Sequence, residues 1–149
     1  MYNQEIRHKY FDALSKLSWD EFVKDREASF HSMRNIFIHT LDAVGYWLNI
    51  LQGEDVHSGM EYDDYKTIQD VRIYMERVEE RMRIYLNSLT PERVMKRFIV
   101  TNDAGDTIQI TAEDILVHVF EEEVHHRGEL IALMWQMNVE PPLMGWKYL

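Results

Sequence analysis

Glu122 and His126 stand four residues apart in a segment whose regularly spaced companions Ala112, Ile115, Val119, Leu130, Leu133 and Met137 are apolar. On an α-helix this spacing puts the two side chains on one face, about 6 Å apart. A carboxylate buried there without a partner is costly, so the pair calls for a compensating charge. One divalent cation, approached by both side chains, would supply it.

Such sites usually need three protein ligands, and the third should come from a facing helix. His39 sits on a stripe with Ile36, Ala43 and Tyr46, at the border of an apolar face, and Ala43 one turn on leaves room beside it. A lone histidine so placed is ordinarily a core residue bonded to a carbonyl. Opposite the Glu122/His126 pair it becomes the candidate third ligand.

The remaining histidines fit less well. His118, Glu122 and His126 together span about 12 Å of helix, too long for one ion held by one helix. His118 and His125 lie nearer Asp114 and Glu121 on a polar flank, where solvation or support of a ligand is expected. His8, His31 and His57 show no ligand spacing and read as surface residues. Glu123 and His126 have the Glu-x-x-His spacing of di-iron bundles, but a second such motif is missing. HExxH, the commonest zinc protease signature, is also absent.

These residues need helices to position them. Ile6, Tyr10, Ala13, Leu14 and Leu17 predict a first helix over Gln4 to Leu17, and Ser18-Trp19-Asp20-Glu21 predicts a capped short turn. A second helix is expected from about Ser29 to Gln52, stopped by Gly53. Glu54 to Lys66, with Gly59, reads as a connection. Ile68, Val71, Met75, Val78, Met82, Tyr85, Leu86 and Leu89 predict a third helix, after which Thr90-Pro91-Glu92 opens another short turn. Residues 97–101 and 107–111 are β-branched and flank Asn102-Asp103-Ala104-Gly105-Asp106, the pattern of a hairpin that must pack on helices. Thr111-Ala112-Glu113-Asp114 caps the last helix, which runs to about Asn138. The tail from Val139 is irregular, and its Trp146, Tyr148 and Leu149 suit a hydrophobic plug or a subunit contact. The expected fold is therefore all-α, a single-domain four-helix bundle over residues 1–149 with a small β-hairpin inserted before the last helix.

Composition narrows the function. Sixteen Lys plus Arg against 26 Asp plus Glu give a net charge of -10, which opposes approach to a phosphate backbone. Arg72, Arg77, Arg81 and Arg83 alternate with Glu76, Glu79 and Glu80 and read as a solvated helix face. With no cysteine there is neither a disulfide nor a protein thiol nucleophile. No apolar run suits a membrane span, and the first residues lack signal-peptide character, so a soluble cytoplasmic protein is expected.

His39 in the second helix, the run His118-Val119-Phe120-Glu121-Glu122-Glu123-Val124-His125-His126-Arg127-Gly128-Glu129-Leu130 in the last, and the closing Pro141-Pro142 resemble the DinB-like superfamily over nearly the whole chain. The resemblance implies a four-helix bundle with a metal held by three residues near one end, often in a homodimer. Many members carry histidine where this chain has Glu122; glutamate there is similar to the mycothiol-dependent maleylpyruvate isomerase branch. Glu129 likewise replaces a frequent glutamine. Two imidazoles and one carboxylate on a divalent ion, zinc or nickel, leave about one positive charge and an open position. The expected activity is transfer of a low-molecular-weight thiol, such as bacillithiol or mycothiol, to a small-molecule electrophile. A metal-dependent hydrolase and a non-catalytic, stress-associated metal protein are the alternatives. No general base stands out.

Overall fold

The computed structural model describes residues 2–56, 61–101 and 104–145. His57, Gly59, Asn102, Asp103, Trp146, Tyr148 and Leu149, given roles above, lie outside the described residues. Four long helices form the bundle: α1 (Tyr2–Leu14), α3 (Met33–Gln52), α4 (Ile68–Asn87) and α6 (Ala112–Gln136). Two short ones, α2 (Trp19–Val23) and α5 (Pro91–Val94), and a 3-10 turn at Tyr62–Asp64 occupy the connections. Strands β1 (Arg97–Thr101) and β2 (Thr107–Thr111) form the antiparallel hairpin before α6, as the β-branched runs predict.

The apolar stripes meet in one core. Ile6, Phe11 and Leu14 of α1 join Ile36, Leu41 and Leu48 of α3, Val71 and Met75 of α4, and Ile115, Leu130 and Leu133 of α6. α3 lies centrally, packed along both α4 and α6. Two strands alone would be marginal, and the hairpin is held because the paired Phe98 and Ile110 pack against the helical core.

Helix ends follow local hydrogen bonding. The Thr111 hydroxyl accepts from Asp114 N–H while the Asp114 carboxylate accepts from Thr111 N–H, which fixes the start of α6. Gly53 closes α3 in the left-handed region, at φ 72°. The N-terminus of α3 differs from expectation. Glu27 and His31 both have positive φ, His31 N–H donates to the Ala28 carbonyl, and Ser32 caps the helix by accepting from Asn35 N–H. Helix thus begins at Met33, and residues 29–32 form a loop, because Ser29 and Ser32 are equally good cap residues in sequence and tertiary contacts select the second. α1 also stops early, its last turn tightening as Leu17 N–H bonds to the Leu14 carbonyl.

Among the described residues, no helix is long and apolar enough to cross a membrane.

Candidate metal centre

α6 presents Glu122 and His126 toward α3, and α3 presents His39 back. Glu122 Oε2 lies 3.5 Å from His126 Nε2 and 3.9 Å from His39 Nε2. The donor atoms of all three residues fall within 4.8 Å of one another. Ligand bonds of about 2.1 Å meeting at tetrahedral angles would put donors about 3.4 Å apart, so the three fit one ion with only small inward rotations. The imidazole planes are nearly perpendicular, at 83°, with centroids 4.7 Å apart, and both rings offer Nε2 to the same point.

His126 is buried, whereas His39 and Glu122 each keep about a quarter of the side chain exposed, at 27% and 26%. The cluster is therefore anchored on one side and open on the other. Burial, reinforced by the neighbouring His126, holds the His39 imidazole below its ordinary pKa against the opposing pull of Glu122 and Glu129. A neutral imidazole is the form that ligates a cation.

The loop before α3 closes over the cluster. Phe30 stacks on His39, with centroids 3.8 Å apart and planes 19° apart, and meets His126 edge-on at 5.4 Å. Beside it, Ser29 Oγ donates to Glu129 Oε2 at 2.9 Å, and that oxygen lies 2.6 Å from His126 Nδ1. Burial pushes the Glu129 carboxyl up, but its hydrogen bonds with His126 and Ser29 outweigh this and leave it below the ordinary carboxylate range.

The other candidates are placed elsewhere. His118 packs edge-on against Trp47, with centroids 5.2 Å apart, away from the three donors. His125 is exposed and stacks parallel on His126; with His126 and Glu129 it forms a second, overlapping donor group. His31 is exposed, as expected.

Two readings of the sequence need correction. Glu79 is not on a solvated face: it is buried, and so is Glu123. Arg7 joins them, donating from Nη1 to Glu79 at 2.8 Å and from Nη2 to Glu123 at 2.5 Å, while His8 Nε2 lies 2.8 Å from Glu79. His8 is thus tied to the interior rather than being a simple surface residue. Because Glu123 turns to Arg7, it is not available with His126 as a di-iron-type pair. Sequence reasoning missed this network because Arg7 lies 72 and 116 residues from its partners. It also missed Phe30 and Ser29. Glu129 was noted only as replacing a frequent glutamine, although its position three residues beyond His126 on the same helical face could have signalled the contact.

The sequence profile of the DinB family matches residues 1–147. The chain belongs to the DinB family. It is 23% identical to YizA of Bacillus subtilis over 141 residues, covering 94% of this chain and 86% of that one. It is 20% identical to the protein named DinB of the same organism over 142 residues, covering 91% and 81%. The crystal structure of the DinB-like protein YjoA from Bacillus subtilis superposes with a TM-score of 0.72 at 19% identity, covering 95% of this chain and 94% of that one. That likeness concerns the fold. Bundle, inserted hairpin and family agree with the sequence-based expectation.

Proposed function

We propose that His39, Glu122 and His126 hold one divalent ion, zinc or nickel, and that the protein is a metal-dependent thiol S-transferase. The observation that carries the proposal is the convergence of three donor groups from two helices within 4.8 Å. Three ligands, one face open to solvent and no further protein donor demanded are the features of a catalytic rather than a structural metal site.

When bound, the ion would favour the anionic form of an incoming thiol or water. The chain's own residues prepare for this. His39 and His126 contribute as neutral imidazoles and Glu122 as an anion, leaving about one net positive charge to attract an anionic sulfur. Phe30 covers the His39 ring and keeps water from that side. With no cysteine in 149 residues, the sulfur must arrive on a small molecule; bacillithiol is the candidate that family membership suggests. In the transfer, the thiol gives up its proton to solvent, a carbon–sulfur bond forms at the electrophile, and the electrophile's leaving group departs with its bonding pair. We place the chain as one domain acting as a cytoplasmic homodimer, a reading supported by the family and testable by light scattering.

Elemental analysis of untagged protein, repeated on His39→Ala and Glu122→Ala, tests the metal assignment: about one ion per chain is expected in the wild type and none in either variant. A panel of thiols with a chromogenic electrophile tests the chemistry. Thiol consumption that disappears on chelation supports transfer. Cleavage of esters or amides without thiol consumption would replace it with a hydrolase.

A further inference from the structure

His126 belongs to both overlapping donor groups, His39/Glu122/His126 and His125/His126/Glu129. The two groups use opposite edges of its ring: Nε2 faces Glu122 and His39, while Nδ1 faces Glu129 at 2.6 Å. Taken as donor groups alone, they would allow two ions bridged by one imidazole. The hydrogen bonding argues otherwise. At 2.6 Å, Glu129 Oε2 and His126 Nδ1 are in direct hydrogen-bond contact, and an ion between them would have to break it. The same oxygen is already engaged by Ser29 Oγ, and His125, the remaining member, is exposed and stacked flat on the His126 ring.

We infer that Glu129 is a positioning residue, a carboxylate that fixes the tautomer and ring angle of His126, and that the two donor groups together hold one ion. With Nδ1–H donated to Glu129, the Nε2 lone pair is left free on the side where His39 and Glu122 converge. Carboxylates so placed behind ligating histidines raise ligand basicity and hold the ring in register, and their loss typically lowers metal affinity 10–100-fold. Ser29 completes the arrangement by holding Glu129 from the loop before α3. That loop thereby touches both imidazole ligands, one through the Phe30 ring and the other through Glu129. A segment that contributes none of the three proposed ligands thus sets the geometry of the site.

This inference rests on the metal reading above, and the experiment separates the two. Zinc affinity and stoichiometry are measured by competition with a chromogenic chelator for the wild type, Glu129→Ala, Glu129→Gln, Ser29→Ala and His125→Ala. The melting temperature of each metal-free protein is measured alongside. One ion per wild-type chain is expected. Affinity should fall 10–100-fold in Glu129→Ala and less in Glu129→Gln, whose amide oxygen still accepts from Nδ1–H. The fall should be smallest in Ser29→Ala, and His125→Ala should match the wild type. Cobalt substitution gives an independent signature, because a loosened His126 ring should change the visible absorption of Glu129→Ala and Gln should restore it. Two ions in the wild type and one in Glu129→Ala at unchanged affinity would overturn the inference by making Glu129 a ligand. Unchanged affinity with a lowered metal-free melting temperature would overturn it by making Glu129 merely structural. Should wild-type protein take up no ion at all, the metal reading itself falls, and this inference with it.

Discussion

Glu122 and Glu123 are neighbours in sequence with opposite surroundings, and alanine at each should have opposite consequences. Glu123 and Arg7 are more than nine-tenths buried as side chains, at 8% and 9% exposure, with a 2.5 Å contact between them. A hydrogen bond to a charged group contributes about 1.5–3 kcal/mol, and breaking a buried ion pair costs about 3–5 kcal/mol when the partner is left uncompensated. Arg7 is not fully orphaned by Glu123→Ala, because Glu79 still holds its other nitrogen at 2.8 Å. The expected loss is therefore about 2–3 kcal/mol, which lowers Tm by about 5–10 °C for a chain of this size. Glu122 is a quarter exposed and its nearest imidazole nitrogen is 3.5 Å away, so Glu122→Ala should change metal-free stability by less than about 0.5 kcal/mol. With zinc the gap between the two variants should close. The wild type and Glu123→Ala should gain about 2.7 kcal/mol at a free zinc concentration a hundred times Kd, and Glu122→Ala should gain nothing. Thermal unfolding followed by circular dichroism, with chelator and with buffered zinc, reads all four numbers. The reasoning is refuted if chelated Glu122→Ala melts as low as Glu123→Ala, or if Glu123→Ala loses zinc-dependent stabilisation while Glu122→Ala retains it.

Other consequences can be checked on the same protein. Phe30→Ala removes the ring stacked on His39; zinc affinity should drop severalfold, and tryptic cleavage in the loop before α3 should accelerate, as seen by mass spectrometry. Because burial holds His39 below its ordinary pKa of about 6.5, the unfolded chain binds the extra proton first as pH falls. The His39 contribution to metal-free stability is then present above about pH 6.5 and lost progressively below it. A Tm–pH profile should show this decline, and His39→Gln should flatten it. Tyr74 donates to Asp42 Oδ1 at 2.6 Å in a half-buried pocket, so Tyr74→Phe should cost about 1–3 kcal/mol in urea unfolding with little change in the slope.

The architecture was readable because each long helix carries a regular apolar stripe and the hairpin interrupts that period with β-branched residues. Val71, Met75 and Val78 in α4 are buried as their spacing demands. The three donor residues could be nominated for the same reason: a polar side chain among apolar ones stands out. What the spacing could not give was the rotation of α6 to within one residue. The wide face of that helix buries Glu123 and Arg127 together with His126 and leaves Glu122 partly open, so the glutamate that belongs to the core is the one the stripe passed over. Its partner Arg7 is reached only through tertiary folding, and no local pattern encodes a contact 116 residues long. The loop carrying Ser29 and Phe30 was hidden because a helix cap can be written by either of two serines.

The polar residues of α6 are nearly indifferent to a one-residue slip. Sliding the helix by one position would put Glu121 and His125 where Glu122 and His126 now stand, and Glu122 where Glu123 now meets Arg7. Those three places would still have chemically suitable side chains, and only the supporting place of Glu129 would fall empty, to Gly128. The hydrocarbon positions are not so forgiving, since the same slip would bring Asp114, His118 and Glu129 into the places of Ile115, Val119 and Leu130. The phase of the helix, and with it the identity of the proposed ligands, is thus enforced by side chains that perform no chemistry, together with the Thr111–Asp114 cap that pins its first turn. A single-residue insertion in the hairpin loop should leave the site intact. The same insertion between Val119 and Glu122 would turn every downstream donor by about 100° against the residues that hold the helix in place.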